Sequence, residues 1–389
     1  MVSYLTEVAT LYPRTIQLAK IIEKKSVLLL GPRQTGKSTL IKTQLGSAPL
    51  YNLLDAGLYG RLSADPTALR REILAIRPLP KVVVIDEVQR LPELMNEAHI
   101  LIEDHGIKLV LTGSSARALR RKGVNLLGGR ARVVPLHPLT TAEIGESFRL
   151  LQALNDGLLP AIYGDADADA HLSDYAGTYL REEVAAEGLT RNLPSFSRFL
   201  AVAAGCNGQI INHTNIASDA AVKRTTVIDY FQVLRDTLLG FDLEPWRGSK
   251  KRKAIATSKF YLFDPGVTRH LAGSGPVLMK GAGFGAAFEH LIFCELRAAL
   301  DYGRAKSLHY WRSTSGLEVD FLLNEKIAIE VKATAIPKSI DIRGLHALGE
   351  ELGGLRRYLF CTVERPQIIS GVEALPWVEG LRRMWNGDL

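Results

Sequence analysis

Residues 31 to 38 read Gly-Pro-Arg-Gln-Thr-Gly-Lys-Ser, which fits the pattern G-x-x-x-x-G-K-[ST]. An apolar run at 26–30 precedes this stretch, and a helix-compatible segment at 39–41 follows it. A strand, a glycine-containing loop and a helix in this order surround a phosphate chain with backbone N–H groups and a helix N-terminus. The pattern predicts that Lys37 reaches the β- and γ-phosphates of a nucleotide and that Ser38 binds Mg²⁺. The predicted nucleotide-binding residues of this loop are Gly31, Pro32, Arg33, Gln34, Thr35, Gly36, Lys37, Ser38 and Thr39.

An acidic pair follows a run of β-branched residues. Lys81 is followed by Val-Val-Val-Ile and then by Asp86 and Glu87. A continuous run of this kind predicts a strand that is buried on both faces, as in a parallel sheet. At the carboxyl end of that strand, Asp86 is predicted to hold Mg²⁺ through water, and Glu87 is placed to polarise an attacking water.

A further strand is predicted over residues 108–112, and it runs into Gly-Ser-Ser. A polar residue at this strand end is where P-loop ATPases sense the γ-phosphate. We favour Ser114 for this role, with Thr112 as the alternative. Capping of a helix explains either residue equally well.

Composition limits the class of protein. The chain has 389 residues, enough for two or three domains, and its 47% apolar and 23% charged residues are ordinary for a soluble globular protein. No apolar run approaches the roughly 20 residues that span a bilayer, and the N-terminus lacks the features of a signal peptide. Cys206, Cys294 and Cys361 lack metal-ligand spacing and are expected to be thiols in a reducing compartment. We therefore expect a cytoplasmic protein without a membrane partner.

The net charge of +7 permits a polyanionic partner but does not require one. Residues 247–253 place five positive charges in seven positions, and 120–122 form a second basic cluster. A charge run is usually a solvated loop, so each cluster alone is weak evidence for nucleic-acid binding.

Residues 1–140 alternate strand and helix patterns. This βαβ rhythm predicts an α/β domain with a doubly wound parallel sheet whose ligands bind at the carboxyl ends of the strands. An extra strand between the P-loop and Asp86 is typical of P-loop proteins whose catalytic glutamate follows the aspartate. The candidate strands are 26–30, 50–54, 82–86, 108–112 and 132–136.

Residues 141–275 are predicted to form a helical and winged-helix domain. The pattern is helical to about residue 195, and a helix-turn-helix is then predicted with helices at 196–204, 214–219 and 223–234. The third helix opens with residue types that contact bases or phosphates in a recognition helix, namely Lys223, Arg224 and Thr225.

Strand candidates at 238–243 and 258–263 flank the basic run and predict that it forms the tip of a hairpin wing. The wing residues predicted to contact nucleic acid are Lys250, Lys251, Arg252 and Lys253. Winged helices also act as protein–protein adaptors in multidomain ATPases, so both roles stay open.

Residues 276–389 are predicted to form a third, α/β domain. A helix over 286–300 carries Glu289, and two strands at 317–323 and 327–332 flank a turn. Pairing Leu323 with Ile327 sets Asp320 opposite Glu330 and Glu318 opposite Lys332. The alternation then predicts one wholly apolar face, formed by Val319, Phe321, Leu323, Ile327, Ile329 and Val331.

Opposed carboxylates on one sheet face repel each other and destabilise a hairpin. A divalent cation between Asp320 and Glu330 removes that conflict, since two carboxylates at this separation form a hard-oxygen Mg²⁺ site. Lys332 lies on the same face, where it is placed to orient a water or to balance charge on a scissile phosphate. The alternative is a solvated face with a Glu318–Lys332 salt bridge.

With Glu289 on the preceding helix, Asp320 and the Glu-Val-Lys at 330–332 resemble the PD-(D/E)XK nuclease signature. The P-loop, Val-Val-Ile-Asp-Glu, Leu-Thr-Gly-Ser-Ser, the winged-helix-like middle and this tail occur in one order. That order resembles a prokaryotic family of AAA-type (AAA+) ATPases with a restriction-endonuclease-like C-terminal domain of poorly defined role. The resemblance covers nearly the whole chain.

The resemblance implies ATP hydrolysis in a homo-oligomer, with a hexameric ring favoured, and an arginine from a neighbouring subunit that completes the ATP site. It also implies Mg²⁺ at both sites, with Mn²⁺ as an alternative at the nuclease-like site, where Glu289, Asp320, Glu330 and Lys332 would act. We favour Arg130 as the completing arginine; the other candidates are Arg117, Arg120 and Arg121.

Two functions are consistent with these features. The first is an ATP-driven DNA-processing enzyme whose C-terminal domain cleaves phosphodiester bonds, with branched or junction DNA as a candidate substrate. The second is a regulatory or signalling ATPase that uses ATP as a conformational switch and whose tail binds nucleic acid or protein without cutting.

Overall fold

The fold is known from a computed structural model, which describes residues 11–114, 127–179 and 192–389. Three sheets occur in this part of the chain, and they follow one another along the sequence. Within the same residues, no helix combines the length and the apolarity that crossing a bilayer requires.

The first sheet is parallel, and its strands lie in the order β2-β3-β4-β1-β5. They are β1 (Ser26–Leu30), β2 (Leu50–Asn52), β3 (Val82–Asp86), β4 (Lys108–Gly113) and β5 (Ala131–Pro135). The predicted five-stranded parallel sheet is confirmed, with strand ends that differ from the expectation by at most two residues. Because β4 lies between β1 and β3, the P-loop and the acidic pair flank the end of β4.

Helices cover both faces of this sheet. One core holds Val83 and Ile85, and the core on the other face holds Val84, so β3 is buried on both sides, as its apolar run predicted. The helices of this region are α1 (Leu18–Lys24), α2 (Lys37–Leu45), α3 (Ala56–Ala64), α4 (Thr67–Ala75) and α5 (Leu94–Glu103).

The middle region contains helices and a small antiparallel sheet of order β6-β8-β7. Asn212 caps one helix by accepting hydrogen bonds from the N–H groups of Thr214 and Asn215. Phe231 packs edge-to-face on Phe260, which joins the third helix of the predicted helix-turn-helix to the sheet. The elements are α6 (Thr141–Ile144), α7 (Leu150–Asp156), α8 (Ala168–Asp174), α9 (Leu193–Gly205), β6 (Gln209–Ile210), α10 (His213–Asp219), α11 (Arg224–Asp236), β7 (Gly240–Leu243), β8 (Lys259–Leu262) and α12 (Pro265–Leu271).

The segment between β7 and β8, which was predicted to form the tip of a hairpin wing, contacts the C-terminal sheet. The N–H of Trp246 donates to the carbonyl of Tyr310 at 2.7 Å, and the N–H of Ile255 donates to the carbonyl of Arg312 at 2.9 Å. Tyr310 and Arg312 belong to the edge strand of the C-terminal sheet, whose unpaired backbone groups need partners. The basic run is therefore docked on the C-terminal domain.

Side-chain contacts hold the same segment in place. One carboxylate oxygen of Glu351 accepts the N–H groups of Lys250 and Lys251, each at 2.8 Å, and Arg252 pairs with Glu350 and Glu351. The side chains of Lys250, Lys251 and Lys253 stay exposed.

The C-terminal domain has a mixed sheet of order β13-β14-β12-β11-β10-β9. Its helix α13 (Phe284–Asp301) covers one face and α14 (Arg343–Glu351) covers the other. The remaining elements are β9 (Leu308–Arg312), β10 (Glu318–Leu323), β11 (Ile327–Lys332), β12 (Arg356–Cys361), β13 (Gln367–Ile369), β14 (Val372–Pro376) and α15 (Trp377–Asn386).

The predicted register of the β10–β11 hairpin is confirmed where Leu323 pairs with Ile327. The predicted single apolar face is wrong, because Val319 packs with Leu322 and Ala328 in the core beneath α14. A register shift between β10 and β9 in the stretch from Val319 to Leu322 changes which face each side chain points to. Both faces of the hairpin are thus apolar in the middle, and its charged residues lie near one end.

Glu295 joins α13 to two distant parts of the chain. Its carboxylate accepts the N–H of Thr141 at 2.6 Å and the indole N–H of Trp385 at 2.7 Å. Burial raises the pKa of Glu295 to about 7, and these donors only partly offset that effect. Folding therefore favours its protonated form. The contribution of Glu295 to the free energy of unfolding is complete below the ordinary carboxyl pKa, and it is lost as pH rises through about 7.

In the wild type, the free energy of unfolding should fall between about pH 5 and pH 8.5 as Glu295 loses its proton. We expect Glu295→Gln to reduce that fall by on the order of 1–3 kcal/mol, because one pKa unit corresponds to about 1.4 kcal/mol. Urea denaturation at a series of pH values measures this change. Glu23→Gln, at an exposed position, is the control and should keep the wild-type pH profile. An unchanged profile in Glu295→Gln would contradict the assignment.

Candidate functional site

The P-loop is shaped by two glycines. Gly36 has φ +89°, in the left-handed region that favours glycine, and α2 begins at the next residue. At Gly31 a Cβ would lie 2.5 Å from the carbonyl oxygen of Leu136, so only glycine fits without a shift of the backbone. Both glycines therefore serve the loop geometry that the sequence pattern predicted.

The predicted phosphate-binding side chains lie at the start of α2. Nζ of Lys37 donates to the carbonyls of Gly31 and Pro32 at 2.6 and 3.0 Å, so the lysine lies across its own loop. Ser38 and Thr39 are exposed in the first turn of the helix. The donor set of this loop, with backbone N–H groups, one ammonium and a hydroxyl, fits a nucleotide phosphate chain with its Mg²⁺.

Arg14 supports this loop and was not foreseen from the sequence, since no local pattern marks it. Its guanidinium donates to the carbonyl of Thr35 at 2.7 Å, to the carbonyl of His137 at 2.6 Å and to the carboxylate of Glu143 at 3.0 Å. The Arg14 side chain is 7% exposed. It therefore positions the loop from beneath without reaching solvent.

Asp86 and Glu87 are joined by one hydroxyl group. Oγ1 of Thr112 donates to the carboxylate of Asp86 and accepts the N–H of Glu87 at 3.1 Å. Glu87 itself has φ +59°, an uncommon backbone conformation for a glutamate that turns the chain directly after β3. Thr112, the alternative sensor residue, thus orders the acidic pair.

Gln89 restrains the carboxylate of Glu87 by donating to it through its side-chain amide. Its own Oε1 is buried and has no hydrogen-bond partner. Flipping the amide would set two oxygens against each other, so this orientation is the favourable one. Gln89 was also not foreseen from the sequence.

The other predicted ATP-site residues are more dispersed. Ser114 is buried directly after β4, at the carboxyl edge of the sheet. Arg130 precedes β5, at the opposite edge, and pairs with Glu103. Three further candidates lie outside the described residues: Arg117, Arg120 and Arg121.

The predicted recognition helix presents its polar end to solvent. Lys223 directly precedes α11, which begins at Arg224. Lys223, Arg224 and Thr225 are all exposed. Their contact with nucleic acid stays a prediction.

The acidic residues of the C-terminal domain come together around a lysine from the middle domain. Nζ of Lys259 lies 2.6 Å from Oε1 of Glu318, 3.3 Å from Oε1 of Glu289 and 4.0 Å from Oδ1 of Asp320. Its side chain is 6% exposed. Burial alone would lower the pKa of Lys259, but the Glu289, Asp320 and Glu318 carboxylates outweigh it and raise the pKa above its usual value.

Asp320 and Glu330 are buried beside each other, as the opposed strands predicted. Burial and the Glu289 carboxylate raise the pKa of Asp320 to about 7, and burial and the Asp320 carboxylate raise the pKa of Glu330. Oδ2 of Asp320 accepts the N–H of Val331 at 2.9 Å, and Nζ of Lys332 lies 2.5 Å from Oε1 of Glu330. The other oxygen of Glu330 is buried without a hydrogen-bond partner.

Lys259 distinguishes this cluster from the predicted set. The alternative Glu318–Lys332 salt bridge does not form, since Glu318 pairs with Lys259 and Arg312. Among the residues that the structure describes, no group of three or more histidine, cysteine, aspartate or glutamate side chains is arranged to hold a metal ion. Lys259 lies among the carboxylates instead. Sequence reasoning missed Lys259 because it lies at the start of a strand in a different domain.

Three family models match successive parts of the chain. Residues 23–145 match an AAA domain, residues 148–277 match a domain of unknown function (DUF8612), and residues 284–379 match a second domain of unknown function (DUF4143). The first match agrees with the P-loop, the acidic pair and the parallel sheet. Residues 23–145 are thus a P-loop ATPase domain of the AAA type that uses ATP.

Similar proteins extend over more than one of these regions. An uncharacterized protein of Mycobacterium tuberculosis is 28% identical over 320 residues, which cover 80% of this chain and 71% of that protein. An uncharacterized protein of Haemophilus influenzae is 22% identical over 231 residues, or 55% of this chain and 56% of that protein. The Walker-type ATPase of Pyrococcus abyssi matches 66% of this chain and 93% of its own with a TM-score of 0.43 and 17% identity, too distant to support a further conclusion.

We expect Thr112→Val to lower kcat for ATP hydrolysis by roughly 10- to 100-fold, because losing a hydrogen bond to a charged group costs about 1.5–3 kcal/mol. Steady-state kinetics measures kcat, and fluorescent-nucleotide titration measures affinity, which should change little. Thr112→Ser keeps the hydroxyl and should retain most of the activity. Equal activity in the valine and serine variants would show that the hydroxyl does not order the acidic pair.

Proposed function

We propose that this protein hydrolyses ATP with Glu87 as the residue that activates water. The observation that carries the proposal is the Thr112 hydroxyl, which holds Asp86 and Glu87 in one arrangement at the end of β3. The carboxyl ends of β1 and β3 lie at the same edge of the parallel sheet, so the acidic pair faces the same crevice as the P-loop.

In the proposed reaction, Glu87 accepts a proton as the water oxygen bonds to the γ-phosphorus and the bond to the β,γ-bridging oxygen breaks. Lys37 balances the charge that develops on the β- and γ-phosphates. Ser38 and Asp86 would hold Mg²⁺, and the ion would supply neutralisation of the phosphate charge. Gln89 restrains the Glu87 carboxylate through the hydrogen bond that joins them.

Glu87→Gln is expected to lower kcat by about 10²–10⁴-fold while nucleotide affinity is kept, because an amide cannot take the proton. A phosphate-release assay and a nucleotide-binding titration measure the two quantities on the same preparation. Glu23→Gln, on the exposed surface, should behave as the wild type. Hydrolysis at the wild-type rate in Glu87→Gln would overturn the assignment of the base.

The ATP site is proposed to be completed by Arg130 of a neighbouring copy in a homo-oligomer, with a hexameric ring favoured. Arg130 lies at the edge of the sheet opposite its own P-loop, so within one subunit it is distant from the site that it would complete. Its pairing with Glu103 is half-exposed and is therefore weak enough to be exchanged for a phosphate contact.

The C-terminal domain is proposed to hydrolyse phosphodiester bonds of DNA, with branched DNA as a candidate substrate. Helix α13 and the β10–β11 hairpin bring together the carboxylates of Glu289, Asp320 and Glu330, on which the resemblance to the PD-(D/E)XK motif rests. The observation that favours this function is the buried pair Asp320 and Glu330, which has one unpartnered oxygen and lies beside Lys332.

Each of these groups has a role in the proposed cleavage. Asp320 and Glu330 offer the hard oxygens that Mg²⁺ or Mn²⁺ prefers, and the ion would supply charge neutralisation at the phosphate. Lys332 orients the water whose oxygen bonds to phosphorus as the ester P–O bond breaks, and the proton that the water loses goes to the leaving oxygen. Glu289, on α13, contributes a further carboxylate once it is released from Lys259.

DNA is proposed to lie on two exposed basic surfaces. One is the start of α11, in a winged-helix arrangement formed by α9, α10, α11 and the β6-β8-β7 sheet. The other is the docked segment between β7 and β8, through the exposed ammonium groups of Lys250, Lys251 and Lys253. Arg252 of the same segment is proposed to contribute less to that contact, because Glu350 and Glu351 bind its guanidinium.

We expect the full-length protein with ATP and Mg²⁺ or Mn²⁺ to cleave supercoiled or branched DNA, and we expect Asp320→Asn and Glu330→Gln to abolish cleavage without changing ATP hydrolysis. Gel electrophoresis of the products measures cleavage. Glu325→Gln, an exposed residue in the adjacent turn, should cut like the wild type. If every DNA stays intact with the wild type, the regulatory ATPase without nuclease activity is the better account.

A further inference from the structure

Lys259 lies within the acidic cluster of the C-terminal domain and has no chemical role in the proposed cleavage. It belongs to β8 of the middle domain, yet its ammonium lies within 4.0 Å of carboxylate oxygens of Glu289, Glu318 and Asp320. It also lies 5.5 Å from the centre of the Tyr310 ring. A lysine with 6% of its side chain exposed is rare unless it is paired, and this one has three carboxylates around it.

We propose that the Lys259 ammonium occupies the place of a divalent cation and keeps the C-terminal site latent until the lysine withdraws. The inference rests on the proposed cation site at Asp320 and Glu330. A divalent ion placed between those carboxylates would be repelled by an ammonium 4.0 Å from Oδ1 of Asp320. The present position of Lys259 therefore opposes the binding of a cation at this site.

Lys259 leaves one carboxylate oxygen of the site without a hydrogen-bond partner. Glu330, whose side chain is 8% exposed, keeps one oxygen without a hydrogen-bond partner, although Lys332 binds its other oxygen. A buried carboxylate oxygen of this kind calls for a ligand. This observation is independent of the Lys259 contacts, and it points to the same cluster.

The docked segment explains how the lysine is held there. It leads directly into β8, and Glu351 fixes its backbone through the N–H groups of Lys250 and Lys251. Tyr261, two residues after Lys259, also donates to Glu289 at 2.6 Å. These contacts hold β8 beside α13, so a shift of the middle domain would carry Lys259 away from the carboxylates. The position of the middle domain is therefore the regulator in this proposal.

The test compares Mn²⁺ binding by the full-length wild type, Lys259→Met and Lys259→Arg, measured by isothermal calorimetry without nucleotide. Methionine has a similar length and no charge, so we expect Lys259→Met to bind Mn²⁺ at least about tenfold more tightly than the wild type. Lys259→Arg keeps the charge and should remain as weak as the wild type. The P-loop variant Lys37→Ala serves as the background, so that any Mn²⁺ at the ATP site is constant.

The outcomes separate the two proposals. Equal affinities in the wild type and Lys259→Met, both lost on adding Asp320→Asn, would overturn the latent site and leave the cation site standing. If Asp320→Asn changes no binding in any background, the cation site itself fails. Stronger binding in Lys259→Met that Asp320→Asn removes is the supporting result.

Lys259→Met leaves buried carboxylates together, so its folding is checked by circular dichroism with and without Mn²⁺. Folding that depends on Mn²⁺ supports the proposal, since the ion then replaces the lysine. If the variant is unfolded in both conditions, Glu351→Ala decides, because it loosens the docked segment and leaves Lys259 intact. We expect this variant to bind Mn²⁺ more tightly than the wild type, and unchanged affinity would overturn the proposal.

Discussion

The buried guanidinium of Arg14 joins parts of the chain that lie far apart in sequence. It binds the backbone of the P-loop at Thr35, the segment after β5 at His137 and the start of the middle region at Glu143. Burying a charge is costly unless it is paired and hydrogen-bonded, and these three acceptors meet that condition. The loop, the sheet edge and the middle region are therefore held in one arrangement, because moving any of them would expose or unpair this cation.

The C-terminal domain also contacts the segment after β5 that Arg14 binds. His137 pairs with Asp301, near the end of α13, and the hydroxyl of Tyr302 accepts the backbone N–H of His137. The phosphate loop is thus linked through α13 to Glu289. Along this helix Glu289 lies about 18 Å from Asp301, at a rise of about 1.5 Å per residue. A second contact, from the Tyr175 hydroxyl to the carbonyl of Arg33, joins the loop to the middle domain.

Local patterns determined the parts of each site that lie within one element. The P-loop, the acidic pair after β3 and the hairpin around Leu323 and Ile327 were all predictable, because glycine placement, a β-branched run and period-2 alternation act over a few residues. The face of Val319 was not predictable. It depends on a shift in register against β9, and that shift comes from the pairing of two strands rather than from the residues of β10 alone.

By itself, the sequence determined the ATPase domain and the opposed carboxylates Asp320 and Glu330, since both follow from short-range backbone geometry. Only the tertiary structure decided what surrounds them. Arg14 beneath the P-loop and Lys259 among the acids come from positions that are distant along the chain, and the docked segment is set by an edge strand that needed partners. The physical reason is that buried charge must be neutralised by whatever group the fold brings near, and sequence spacing does not encode that group.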